Sequence, residues 1–280
     1  MYKYAKCEGY ILKRIAVIPN RTKDKDYKYT KELLEILAGK AEIVMPEREQ
    51  ISGYSVTFRG SDLYDGVDAV IVLGGDGTIL QAAEPCGRGG IPVMGINLGK
   101  VGFMTEVESD DMETACRRLL AGDFETENRM MMEIRVGDKN FLALNDAVIS
   151  KPNAEMINME LYANGGKVSE YIADGLVIST PTGSTGYSLS AGGPVADPQM
   201  KLFIATPICA HMLSARPMLL SAEKEIDIRL FGGTAIVTVD GEDKCTIKSG
   251  DSVSVRRSEC TFKIIKLGRQ SFYYTMMSKL

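Results

Sequence analysis

The segment of this sequence best suited to chemistry is an acid set among glycines, Gly74-Gly75-Asp76-Gly77-Thr78. Glycines let a backbone approach a ligand closely. The N–H groups of such a loop, with a helix start behind them, suit a phosphate anion. The spacing is not that of a Walker A loop, since no Gly-Lys-Ser/Thr follows, nor that of the dinucleotide fingerprint. The acid is the informative residue, because a carboxylate repels phosphate unless it has another role. One role is to accept the proton of an attacking hydroxyl; another is to hold Mg²⁺. Glycine and Asp also suit an ordinary turn. The pattern implies phosphoryl transfer, with Gly74, Gly75, Gly77 and Thr78 as candidate phosphate-binding groups and Asp76 as the candidate catalytic one.

A second constellation runs from Asp174 to Ser190. A short apolar strand opens into a loop dense in hydroxyls and glycines, with Tyr187 offering a stacking face. Many short hydrogen bonds from such a loop can bind ribose, phosphate or amide groups, although Ser/Thr-rich turns are common in β domains. Two smaller segments join it. Gly95 to Phe103 is a glycine-punctuated strand exit carrying Asn97, Lys100 and Phe103. Lys100 is either a phosphate cation or a solvated lysine. Asn145 and Asp146 place an amide and an acid together in an apolar run. An Asn can pair with an adenine edge and an acid can accept from ribose hydroxyls; a strand-end turn would look the same. His211, the only histidine, cannot build a multi-histidine metal site and reads as structural. Asp240-Gly241-Glu242 reads as a hairpin turn, and Met130 to Met132 as core or interface packing.

The elements that must hold these groups fall into two textures. Arg14 to Asn20, Ala41 to Met45, Val67 to Leu73 and Ile91 to Asn97 read as strands. Thr30 to Gly39, the segment beginning at Ile79, and Ser109 to Gly122 read as helices, the last with Ser109 as N-cap. Strands alternating with helices imply a parallel α/β layer. From Glu125 onward the pattern turns to strands: Met130 to Val136, Phe141 to Ser150, Glu225 to Phe231, Thr234 to Val239, Ser252 to Arg256 and Thr261 to Leu267. The expected fold is α/β plus all-β, with a nucleotide-binding domain over residues 1–124 built on a parallel sheet. A β-sandwich-like domain over 125–270 and a C-terminal tail over 271–280 follow.

The whole composition sets limits. The formal charge of −4 does not coat nucleic acid electrostatically. No apolar run nears the length of a membrane span, and the first residues do not form a signal peptide. Six cysteines lack the short spacings of zinc or redox motifs and read as reduced, buried thiols. The expected location is the cytoplasm, with no nucleic-acid or membrane partner.

Together, Gly74 to Thr78, Gly95 to Phe103, Leu144 to Asp146 and Asp174 to Pro194 resemble the NAD kinase family in content and order, as does Ala205 to Pro217. The likeness spans roughly residues 67 to 242. The Gly-Gly-Asp-Gly-Thr loop alone is shared with diacylglycerol, sphingosine and phosphofructokinase-type kinases. The resemblance implies a homo-oligomer that transfers the γ-phosphoryl group of ATP, with Mg²⁺ and no tightly bound protein-ligated metal, to the 2′-hydroxyl of NAD's adenosine ribose. Asp76 would then be the proton acceptor and a ribose contact. Gly77, Phe103, Asn145, Asp146, Asp174, Thr185, Gly186, Tyr187, Ser188, Leu189 and Ser190 would contact NAD. Three positions depart from the family's pattern: Asp146 stands for its usual Glu, Gly186 for Ala, and Ile172 for a basic residue. Rival readings are a lipid kinase of the diacylglycerol type and a non-catalytic dinucleotide sensor.

Overall fold

The computed structural model describes residues 5–6, 12–99, 102–212, 214–268 and 272–279. Lys100 and Cys7 lie outside them. The chain forms two compact units, Met1–Asn128 with Phe262–Leu280, and Arg129–Thr261. The expected boundaries differ from this division chiefly at the end of the chain. The residues from Phe262 onward return to the first unit, and the segment expected as a tail carries a helix, Phe272–Lys279.

In the first unit, strands Arg14–Pro19, Glu42–Pro46, Thr57–Arg59, Ala69–Gly74 and Pro92–Asn97 pair in parallel. Ala69–Gly74 and Pro92–Asn97 are buried along their whole length. That is why they read as continuous apolar runs rather than alternating ones. Three helices cover the sheet: α1 (Lys28–Leu37), α2 (Asp76–Gly89) and α3 (Met112–Leu120). Leu33, Leu34 and Leu37 of α1 and Met112, Ala115, Cys116 and Leu119 of α3 share one core with Ile15, Ile71 and Met94. Gly39 and Gly122 take positive φ just beyond the ends of α1 and α3, as stop signals do. Ser109 is not the cap of α3. A 3₁₀ turn, Ser109–Asp111, precedes the helix, and Asp111 stands at its N-cap.

The strand order carries the functional consequence. From Arg14–Pro19 the chain moves outward to Glu42–Pro46 and then Thr57–Arg59. It then returns to the other side of Arg14–Pro19 with Ala69–Gly74. Sequence order therefore reverses between Arg14–Pro19 and Ala69–Gly74. In open α/β sheets, ligands bind outside the carboxyl ends of the strands at such a reversal. The glycine-Asp loop begins at that edge.

The second unit is a two-sheet β structure. One sheet runs Met218–Ser221, Leu202–Ile208, Gly175–Ser179, Asp146–Ser150, Thr234–Val239, Glu242–Lys248, all antiparallel. The other includes Gly166–Ala173, Ile157–Ala163, Ile226–Gly232 and the first residues of Ser252–Lys266. Ile149, Ile178, Phe203 and Val237 of the first sheet share one core with Met159, Leu161, Tyr171 and Ile228 of the second, as in a sandwich. Met132 is fully buried in the same core. The expected strands at Ser252 to Arg256 and Thr261 to Leu267 are one strand, Ser252–Lys266. The expected run Phe141 to Ser150 is two, Lys139–Ala143 and Asp146–Ser150. Its break falls at Leu144 and Asn145.

Candidate active site

Asp76 is the first residue of α2, with extended Gly75 at the N-cap. Its carboxylate turns back onto the loop after Pro92–Asn97. Oδ2 accepts from Phe103 N at 2.7 Å. Oδ1 accepts from Met104 N at 3.0 Å, Thr105 N at 3.2 Å and Thr105 Oγ1 at 3.5 Å. The acid is therefore a staple between the helix start and the 102–105 loop. Gly102 makes this possible: a Cβ there would stand 2.0 Å from Asp76 Oδ1, a distance no side chain can occupy. The Phe103 ring sits between Phe272, at 5.6 Å between centroids, and the Lys279 ammonium, at 4.7 Å. The C-terminal helix thus packs on the loop that holds the acid.

Two residues here escaped the sequence reading as site groups. Asn20, just beyond Arg14–Pro19, donates from Nδ2 to Thr78 Oγ1 at 2.8 Å, and its N–H reaches Leu73 O at 2.8 Å. It ties the two strand ends that flank the reversal. Its Oδ1 accepts from Thr22 and Lys23 N–H, turning the chain so that Lys23 Nζ comes over the loop. That ammonium lies 2.8 Å from where a Cβ of Gly75 would be. An exposed cation beside α2's N-terminus is what a phosphate needs. Only the turn after Pro19 was visible in sequence; the contacts are made across more than fifty residues. Gly74, Gly75 and Thr78 are buried in the loop, whereas Gly77 is exposed.

The second unit gathers the other candidates. Asn145 and Asp146 meet the start of the hydroxyl loop: Thr180 N donates to Asn145 O at 2.8 Å and Thr180 Oγ1 to Leu144 O at 2.6 Å. Gly183 lies against the Asn145 backbone so closely that a Cβ would come within 2.2 Å of Asn145 O. Gly186 is next to both side chains. An alanine Cβ at 186 would lie 3.6 Å from Asn145 Nδ2 and 3.8 Å from Asp146 Oδ2, with Gly183 O tight at 3.2 Å. The departures at 146 and 186 therefore adjoin each other. Asn145 Oδ1 and Ser179 Oγ are buried with no hydrogen-bond partner among the described residues. Buried acceptors of this kind call for a donor, which a ligand can bring.

Not every hydroxyl of the loop is free for a ligand. Ser184 Oγ donates to Pro181 O and accepts from Ala196 N. Ser188 is fully buried, its Oγ 3.0 Å from Thr206 Oγ1. These two serines shape the loop from within. Thr185, Gly186 and Leu189 are partly exposed, and Tyr187 and Ser190 are exposed. Asp174 pairs with Lys151, Nζ to Oδ1 at 2.6 Å. Lys151 thus gives that acid a cation, although the basic residue expected at 172 is Ile. His211 is exposed, with its N–H donating to Ile172 O.

Burial and a second acid act on Asp146. Desolvation, and then the negative charge of Asp240, push its carboxyl up to about 7. Asp240 is itself shifted upward by burial, against three backbone N–H bonds that favour its charged form.

Family models match both halves of the chain: the ATP-NAD kinase N-terminal domain over residues 28–124 and the C-terminal domain over residues 144–267. An NAD kinase of Carboxydothermus hydrogenoformans is 37% identical over 92% of this chain and 97% of its own length. One from Lachnoclostridium phytofermentans is 35% identical over 96% and 99%. The chain belongs to the NAD kinase family. Solved NAD kinase-type structures share its fold. An Archaeoglobus fulgidus NAD kinase in complex with ATP aligns at a TM-score of 0.75 with 27% identity, over 95% of this chain and 98% of that one. The yeast NADH kinase complexed with NADH aligns at 0.88 over 97% and 88%, with 21% identity. As a member of this family the chain is a kinase that phosphorylates NAD, and a lipid kinase is not favoured. No helix among the described residues is long and apolar enough to cross a membrane.

Proposed function

We propose that Asp76 takes the proton of the 2′-hydroxyl of NAD's adenosine ribose as that oxygen attacks the γ-phosphorus of ATP, giving NADP. The observation that carries this reading is the unequal loading of the Asp76 carboxylate. Oδ1 already accepts from Met104 and Thr105, whereas Oδ2 has a single donor among the described residues, Phe103 N. A carboxylate oxygen has about two acceptor positions, so Oδ2 retains one for a hydroxyl. Orientation matters most, because a ribose hydroxyl must be in line with the phosphorus when it loses its proton. The staple to residues 103–105 supplies that orientation.

Charge on the phosphates is met by Lys23 and by the N–H groups of the glycine loop. Mg²⁺ enters with ATP as part of the substrate. Asn145 and Asp146, with Asp174 and the segment Thr185 to Ser190, hold NAD. Ser188 contributes through the loop's shape. The resemblance to the family supports a homo-oligomer working in the cytoplasm.

The test is a coupled assay that reads NADP through an NADP-specific dehydrogenase. Wild type should form NADP from NAD and ATP. Asp76→Asn should fold and lose about 10²–10⁴-fold in turnover, the usual worth of a positioned general base. Near-wild-type turnover in that variant would remove Asp76 from the role.

A further inference from the structure

Asp240 is the first residue of the two-residue turn joining Thr234–Val239 to Glu242–Lys248. It has φ +47°, and Gly241 has φ +84°. Such a turn takes Asn-Gly as readily as Asp-Gly, so the turn does not explain an acid. Its side chain does. Oδ2 accepts from Leu144 N at 2.7 Å, and Oδ1 from Asn145 N at 2.8 Å and Asp146 N at 3.1 Å. Only a carboxylate accepts on both oxygens; an amide would turn its NH₂ against one of these N–H groups. In addition Asp240 N donates to Asp146 O at 3.0 Å. The break between Lys139–Ala143 and Asp146–Ser150 is thus held open by one side chain from elsewhere in the sequence.

We infer that Asp240 is a positioning residue for the dinucleotide: its carboxylate fixes the 144–146 backbone and so aims the Asn145 and Asp146 side chains at NAD. This rests on the reading that Asn145 and Asp146 contact NAD. The arrangement has a second consequence, since it sets the partly buried carboxylate of Asp240 beside the buried Asp146. The other charged groups on these elements are Lys244, which pairs with Glu242, Asp243, which accepts from Thr238, and the lysines at the far ends of their strands, Lys248 and Lys139. Lys244 lowers Asp240, and Asp240 raises Asp146. An Asp146 that accepts from ribose hydroxyls does so more strongly when ionised. Its affinity for NAD therefore rises with pH through about 7. Removing the Asp240 charge moves that limb to lower pH.

The experiment compares wild type, Asp240→Asn and Asp240→Glu by steady-state kinetics at several pH values. Amide hydrogen exchange of the peptide containing residues 144–146 is measured alongside. Asp240→Asn should raise the KM for NAD about tenfold with a much smaller change in kcat, as expected for lost charged-acceptor hydrogen bonds. It should speed exchange at 144–146 and shift the KM limb to lower pH. Asp240→Glu, which keeps the charge, should hold the limb near its wild-type position with an intermediate KM. It also supplies the answer if the Asn variant does not fold. Unchanged KM and unchanged exchange in a folded variant would overturn the inference. Wild type that makes no NADP and binds no NAD would instead overturn the functional reading on which it rests.

Discussion

Several aspartates among the described residues do the same thing with their side chains, Asp68 with Lys13 N and Arg14 N among them. Asp24 accepts from Tyr29 N and Thr30 N, Asp76 from Phe103, Met104 and Thr105 N, and Asp240 from Leu144, Asn145 and Asp146 N. A carboxylate that accepts several consecutive N–H groups locks a stretch of backbone that no ladder or helix satisfies. For Asp24 the effect is structural, holding the start of α1. For Asp76 the same bonds orient the oxygen proposed to accept the ribose proton. The sequence announced Asp76 because it stands among glycines. It said nothing of the other half of the staple, which lies past a strand and a turn. Gly102 is the test at this scale. Gly102→Ala puts a methyl 2.0 Å from Asp76 Oδ1, so the acid must move by about an ångström or more. Turnover should fall about 10²-fold. Retained kcat would mean that the orientation of Asp76 is not what limits the reaction.

At the scale of elements, legibility followed the source of the signal. Ala69–Gly74 and Pro92–Asn97 were readable because strands buried on both faces are runs of apolar residues. The face of α3 was readable because its apolar spacing is helical. The break at Leu144 and Asn145 was legible only in part: Asn145 and Asp146 suited a strand-end turn, but the run around them is apolar and the interruption is held by Asp240, about 95 positions away. The hairpin Ile157–Ala163 and Gly166–Ala173 was hidden by its charged, half-exposed residues. The C-terminal helix was read as a tail for want of a clear apolar stripe. Its place on Phe103, however, makes it part of the support for the 102–105 loop. Ending the chain after Gly268 should therefore leave a folded protein whose kcat is lowered and whose melting temperature drops by a few degrees, about 1 kcal/mol of lost packing. Full activity in the shortened chain would show that the loop stands without the helix.

For the molecule as a whole, the placement of Asp146 sets a conflict between stability and function. Its carboxyl has an ordinary value of 3.8 in the unfolded chain and about 7 in the folded one. Below 3.8 both states are protonated and the group costs nothing. Between those values the folded state binds the extra proton, so stability falls as pH rises through the window. Above about 7 the penalty is complete, on the order of 1–4 kcal/mol for a shift of this size. The position belongs to the pair through which NAD is proposed to be held, and sites of this kind are not built for stability. Asp146→Asn separates the two demands, because an amide cannot titrate. Its melting temperature should exceed that of wild type at pH 8, and the gap should shrink as pH falls toward 4. NAD binding should be weaker at pH 8 and should lose its dependence on pH around 7. If the two melting curves instead ran parallel across that range, Asp146 would be ionised at no cost, and the crowding of the two acids would have no bearing on stability.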